Sequence, residues 1–238
     1  MEKDKAKQRS GWKLFREEAQ LTFDRFLKIV EIPAELTLDA TISSEPLQRI
    51  PVVGGLIAAA KLGASVRDFF LAAKMKRFLD GISDETLQKL KDKLRTDEGF
   101  RVKATQKILL LLDRFADLEK ASILAKIVTF FANDDIDKNT LERLFDAVDK
   151  LFVQDISVLV DFYNLQGDTH KFIEAYSESL QNLAMSGLVG LGLQDGSGFV
   201  SDYDKFNPNR TGVTLVMILQ DGELPRRQFS APDRHKQW

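Results

Sequence analysis

Asp134, Asp135, Asp137 and Asn139 at the centre of the chain mimic the start of a calcium-binding loop, the last three being oxygen ligands at its alternating spacing. A complete loop needs glycine at its sixth position and glutamate at its twelfth, for the tight turn and the bidentate carboxylate. Here those positions hold Thr140 and Asp146, so the run reads as a solvated cap at the start of a helix. Gly190, Gly192, Gly196 and Gly198 suggest a phosphate cradle, but Asp195 stands where the dinucleotide fingerprint requires its third glycine. The segment also follows a helix pattern where it should follow a strand, so a hairpin turn is expected. Ser197 in "DGSGF" lacks the glycine two residues earlier that a nucleophile elbow requires, and the two histidines, His170 and His235, have no evident partner in sequence. Surface histidines are the reading, and no catalytic residue, cofactor site or metal site is assigned.

Composition narrows the class. The chain has 238 residues, 44% hydrophobic and 29% charged, enough to bury one large core or two small ones. It has no cysteine, which removes disulfides, thiolate metal sites and a thiol nucleophile, and suits a reducing compartment. The start, "MEKDKAKQRSGWKLF", is charged where a secretory signal needs an apolar run, so a cytoplasmic protein is expected. The formal net charge of −2 is unevenly spread: residues 1–30 hold eight basic and five acidic side chains, whereas residues 137–224 hold six basic and fourteen acidic. Arg226, Arg227, Arg234 and Lys236 make the last residues basic again.

The elements follow from periodicity. Trp12, Phe15, Ala19, Phe23, Phe26 and Val30 recur at steps of three and four, giving one apolar stripe on a helix that Pro33 ends. Trp12, Phe15, Phe23 and Phe26 lie beside Lys13, Arg16, Arg25 and Lys28, an aromatic and basic combination suited to a lipid headgroup layer or to a partner. Pro51 opens a second helix whose face of Gly55, Ala59 and Gly63 admits close packing by a neighbouring helix, in the same chain or a second copy. Its uninterrupted apolar run, Ile50 to Ala60, is eleven residues. At 1.5 Å per residue that spans about 16 Å, half of a bilayer core, and Lys61, Arg67 and Asp68 follow at once. A transmembrane helix is therefore excluded; a buried core helix is expected, with shallow membrane insertion as the alternative.

Further helices are expected with Ser83 as N-cap, over Phe100 to Phe115, over Leu124 to Phe131, and from Asn139, whose spacing to Glu142 is that of a capping box. After Asp155, "DISVLVDFYN" and "KFIEAYSESLQNLAMSGL" read as helices, "VGLGL" as a strand, "QDGSGFVSDYDKFNPN" as turn-rich, and "RTGVTLVMIL" as a last apolar helix. Helix, Gly-rich hairpin, then Thr-Gly before an apolar helix resembles the end of a winged helix-turn-helix domain, over about residues 139–219. The expected fold is mainly α, an N-terminal helical bundle followed by a small winged-helix-like α+β domain. Its divisions are 1–48 (amphipathic helix and linker), 49–136 (bundle), 137–224 (winged-helix-like) and 225–238 (basic flexible tail).

Two resemblances bear on function. "KASILAKIVTFFANDDIDKNTLERLFDAVDKL" is similar to the helix, acidic turn and helix of TerB-like bacterial stress proteins. The order of "RIPVVGGLIAAAKLGASVRDFFLAAKMKRFL", a helical bundle and a winged-helix-like end resembles uncharacterised bacterial proteins of the abortive-infection alpha type, which are linked to phage defence. The resemblance implies a bacterial stress or defence role and places no catalytic residue. The helix that would enter a DNA groove, about Lys171 to Ser186, sets Glu174 and Glu178 against Lys171 alone, so duplex DNA is not expected as a partner. The expectation is a non-enzymatic protein that contacts a protein partner or a second copy of itself, with an anionic membrane surface as a further partner at the inner membrane. The competing expectation is a winged-helix transcriptional regulator.

Overall fold

Serine and aspartate before amphipathic runs set several helix starts of this chain, and a computed structural model shows Ser83, Asp97, Asp137 and Asp168 each accepting from a first-turn amide. The structure describes residues 66–191 and 206–225, and there the chain is mainly helical, with a single two-stranded sheet. It divides into two compact units between Ile136 and Asp137.

In the first unit the described helices are α1 (Val66–Asp80), α2 (Asp84–Arg95), α3 (Glu98–Arg114) and α4 (Leu118–Ala132). Ser83 caps α2 as expected, its hydroxyl accepting from the Thr86 amide at 3.1 Å, and Asp97 does the same for α3 through Phe100 at 3.0 Å. Phe100, Ala104, Ile108 and Leu111 form the buried side of α3, and Phe115 is buried just beyond its end. Helix α4 is apolar on more than one face, and Ala121, Ile123, Leu124, Ala125, Ile127, Val128 and Phe131 are all buried. A helix wet on one side only needs a stripe; one this apolar must be surrounded, and α4 packs against both α1 and α2. Gly81, at the turn after α1, is part of that packing, since a Cβ there would stand 2.8 Å from Ala125 Cβ.

The second unit runs α5 (Lys138–Lys150), a 3-10 turn (Val153–Asp155), α6 (Ile156–Asn164), α7 (Thr169–Ala175), α8 (Ser177–Met185), β1 (Val189–Leu191), β2 (Phe206–Pro208) and α9 (Arg210–Leu219). The strands are antiparallel, with Val189 opposite Pro208 and Leu191 opposite Phe206. Helix α6 packs on α8 and α9, α9 also packs on α5, and Leu144, Val148, Leu159, Phe162, Leu180, Leu183, Leu215 and Val216 fill the core.

Three local expectations change. Helix α5 starts two residues earlier than the Asn139 capping box places it: Asp137 is the N-cap and accepts from the Thr140 amide at 2.7 Å. A carboxylate is the stronger acceptor for orphan amides, so it wins over the amide side chain two residues on. "KFIEAYSESLQNLAMSGL" is two helices, because Tyr176 leaves helical geometry at φ −121°, ψ 25°. The turn-rich segment contains β2, which only pairing with β1 makes into a strand. The aromatic and basic face of Trp12, Lys13, Phe15, Arg16, Phe23, Phe26 and Lys28 lies outside the described residues, as does the packing face of Gly55, Ala59 and Gly63.

Candidate functional site

Asp134 and Asp137, two of the candidate ligands in the acidic turn, each have a structural task. Helix α4 ends in a Schellman turn in which Asp134 takes the left-handed position at φ 67°, and the Asp135 amide donates to the Phe130 carbonyl at 3.0 Å. Lys93 from α2 donates both to the Phe131 carbonyl and to Asp134 Oδ1, and its ammonium sits 4.0 Å over the Phe131 ring. Lys89, one turn earlier on α2, donates to Asn133 Oδ1 at 3.3 Å. Two lysines thus meet the carbonyl end of α4, where the helix dipole favours positive charge. Asp137 points instead at the first amides of α5. The Thr140 hydrogen bonds, assisted by the charges of Arg210 and Arg143, hold its carboxyl below the usual carboxylate range. The carboxylates are spread between a lysine and a helix start, and no group of three or more His, Asp or Glu placed to hold a metal occurs among the described residues.

The other candidates resolve as simply. Gly190 is a strand residue on β1, where a Cβ would meet the Asn207 carbonyl at 3.1 Å, while Gly192, Gly196, Ser197, Gly198 and His235 lie outside the described residues. His170 does have a neighbour: its Nδ1 is 3.9 Å from Glu174 Oε2, one helical turn on, and both side chains are exposed. Asp155 is 3% exposed and its Oδ2 has no hydrogen-bond partner among the described residues, but a carboxylate this buried is poorly placed to meet a substrate proton.

A polar node in the second unit escapes sequence reasoning. The fully buried Tyr163 on α6 donates its hydroxyl proton to the Leu188 carbonyl at 2.7 Å and accepts from the Asn209 amide at 2.9 Å. Asn209 caps α9 by accepting from the Gly212 amide at 2.9 Å, and its own amide group donates to the Gly187 carbonyl at 3.1 Å. A Cβ at Gly212 would stand 2.0 Å from the Leu188 oxygen and 2.1 Å from Tyr163 Oη, so only glycine fits. The node ties α6, the turn after α8 and the start of α9 to the sheet. "NRTG" at a helix start was its only trace in the sequence.

What remains on the outside is a face. Lys171, Glu174, Glu178, Gln181 and Met185 recur at steps of three and four along α7 and α8, and all are exposed. The Tyr176 amide closes α7 on the Phe172 carbonyl at 3.0 Å, and the Leu180 amide opens α8 on the Tyr176 carbonyl at 2.9 Å. Behind it an aromatic series leads inward from exposed Tyr176 to Phe172 at 4.7 Å between centroids, and on to buried Phe162 at 6.3 Å. The described part of this unit carries eleven acidic and five basic side chains. No family model, curated protein or solved structure matches the chain.

Proposed function

We propose that this is a non-catalytic protein that acts through contacts with a protein partner, made by the unit that begins at Asp137. The observation that carries the reading is the charge of the exposed side of α7 and α8. The order of helices α5 to α8, a two-stranded antiparallel sheet and helix α9 resembles that of a winged-helix domain, in which the helical segment before the strands is the one presented to a DNA groove. Counterion release requires lysine and arginine to face the phosphates, and here Glu174 and Glu178 face outward against Lys171. An acidic unit lacks the cations that phosphate contacts need, which supports protein contacts over nucleic acid. The bacterial stress or phage-defence setting is supported by the resemblances of Lys120–Leu151 and of the Arg49–Leu79 order.

No helix among the described residues is long and apolar enough to cross a membrane. A peripheral role at an anionic inner-membrane surface rests on the stripe of Trp12, Phe15, Phe23 and Phe26 with its flanking lysines and arginines. The competing reading, a transcriptional regulator, is favoured by the element order of the second unit alone. Cross-linking mass spectrometry on the tagged full chain, recovered from nuclease-treated native cells, tests the choice. Cross-links from a protein partner concentrated on residues 137–224 are expected; their absence from that unit contradicts the reading.

A further inference from the structure

We infer that the 3-10 turn Val153–Asp155 is a two-state clasp: its closed form, with the Asp155 carboxylate buried, exchanges with an open form in which Asp155 caps α6. The ground is an anomaly at a helix start. Ser83, Asp97, Asp137 and Asp168 stand before their helices in extended backbone, ψ between 98° and 171°, and each side chain accepts from a first-turn amide. Asp155 stands at the same place before α6 but at φ −89°, ψ −2°, and its side chain makes no cap hydrogen bond. Asp117 makes none either, but it is extended and exposed, where water can serve it. Asp155 is buried instead, and its Oδ2 has no hydrogen-bond partner among the described residues. A buried carboxylate without a donor is costly, whereas one placed on the first amides of a helix is favoured by hydrogen bonds and by the dipole together. Burial is inverted beside it as well, since Phe152, three residues earlier, is 53% exposed. The closed turn is held by the Asp155 amide on the Phe152 carbonyl at 3.0 Å and by the Ile156 amide on the Val153 carbonyl. Turning ψ of Asp155 into the extended range gives up those two bonds, brings the carboxylate out of the core and lets it cap α6 as the other four residues cap their helices. The turn packs on both α6 and α8, so its opening loosens the support of α8.

Amide hydrogen exchange of the full chain, read residue by residue by NMR as protection factors, tests the clasp. Asp155→Ala removes both the buried charge and the cap, so protection at positions 155 and 156 is expected to rise at least fivefold. Asp155→Asn also removes the charge but can still cap α6, and should raise it less. Asp168→Ala, at a cap already in use, should lower protection at His170 and Lys171. A rise of less than fivefold or a fall with Asp155→Ala overturns the clasp, as does loss of protection at Phe162 in that variant, which would mean that the carboxylate supports the closed unit. Protection in Asp155→Asn equal to or above that in Asp155→Ala would show that the open form is not capped, and overturns it. Unchanged or raised protection at His170 and Lys171 in Asp168→Ala removes the capping advantage on which the open form depends, and overturns it too.

Discussion

At Gly212 a single methyl group has nowhere to go. Gly212→Ala drives a carbon into the Leu188 carbonyl and the Tyr163 hydroxyl, two groups held by their own hydrogen bonds, so relief requires breaking the node. A loss of about 3 kcal/mol is expected, read from chemical denaturation of the full chain. Tyr163→Phe keeps the ring and leaves the Leu188 carbonyl and Asn209 amide without their buried partner, and about 1 to 3 kcal/mol should be lost. A change below half a kilocalorie in either variant would show that the node does not hold the unit. Asp137 gives a pH test. Its carboxyl is held below its ordinary value in the folded chain, so its contribution is present above the unfolded-state value and is lost as pH falls through the folded one. Asp137→Asn should therefore destabilise the protein at neutral pH and flatten the decline of stability in acid; an unchanged acid limb would contradict this. Single residues of this kind were the least legible in the sequence. Asp137, Asn139 and Thr140 all look like caps in one dimension, and only the 2.7 Å contact to the Thr140 amide chooses between them.

Helices were far easier to read than the contacts that end them. Ser83 and the apolar recurrence through Phe100, Ala104, Ile108 and Leu111 announced α2 and α3, because N-caps and periodicity are local. The end of α4 is non-local: Lys93 reaches it from 38 residues away to meet the Phe131 carbonyl. Lys93→Met retains the aliphatic stem and removes the cation, and should cost about 1 kcal/mol, discounted because Asp134 is exposed. An unchanged midpoint would mean that the turn caps itself through its backbone bonds alone. Helix α4 itself is the centre of its unit, so Leu124→Ala, at a position with no exposure, should cost about 2 to 5 kcal/mol. The strand β2 was invisible for a related reason, since it depends on β1, a partner element.

For the molecule as a whole, uneven charge is the feature that connects sequence to function. It was legible from the start, since side-chain charge needs no fold, but which charged side chains of α7 and α8 stay exposed was not, because that depends on what those helices bury. The stripe from Trp12 to Phe26 suggests lipid contact, and liposome flotation of the full chain against Phe23→Glu should show binding to anionic vesicles that the variant loses. The central claim is that the second unit of this protein meets protein and not nucleic acid. Fluorescence anisotropy of labelled duplex DNA with the full chain, from low to physiological salt, addresses it most directly. Non-specific duplex binders reach dissociation constants of roughly 10⁻⁴ to 10⁻⁶ M at physiological salt. No binding in that range is expected from the native chain, with at most weak association at low salt. Micromolar binding by the native chain at physiological salt, weakening steeply as salt rises, would contradict the account.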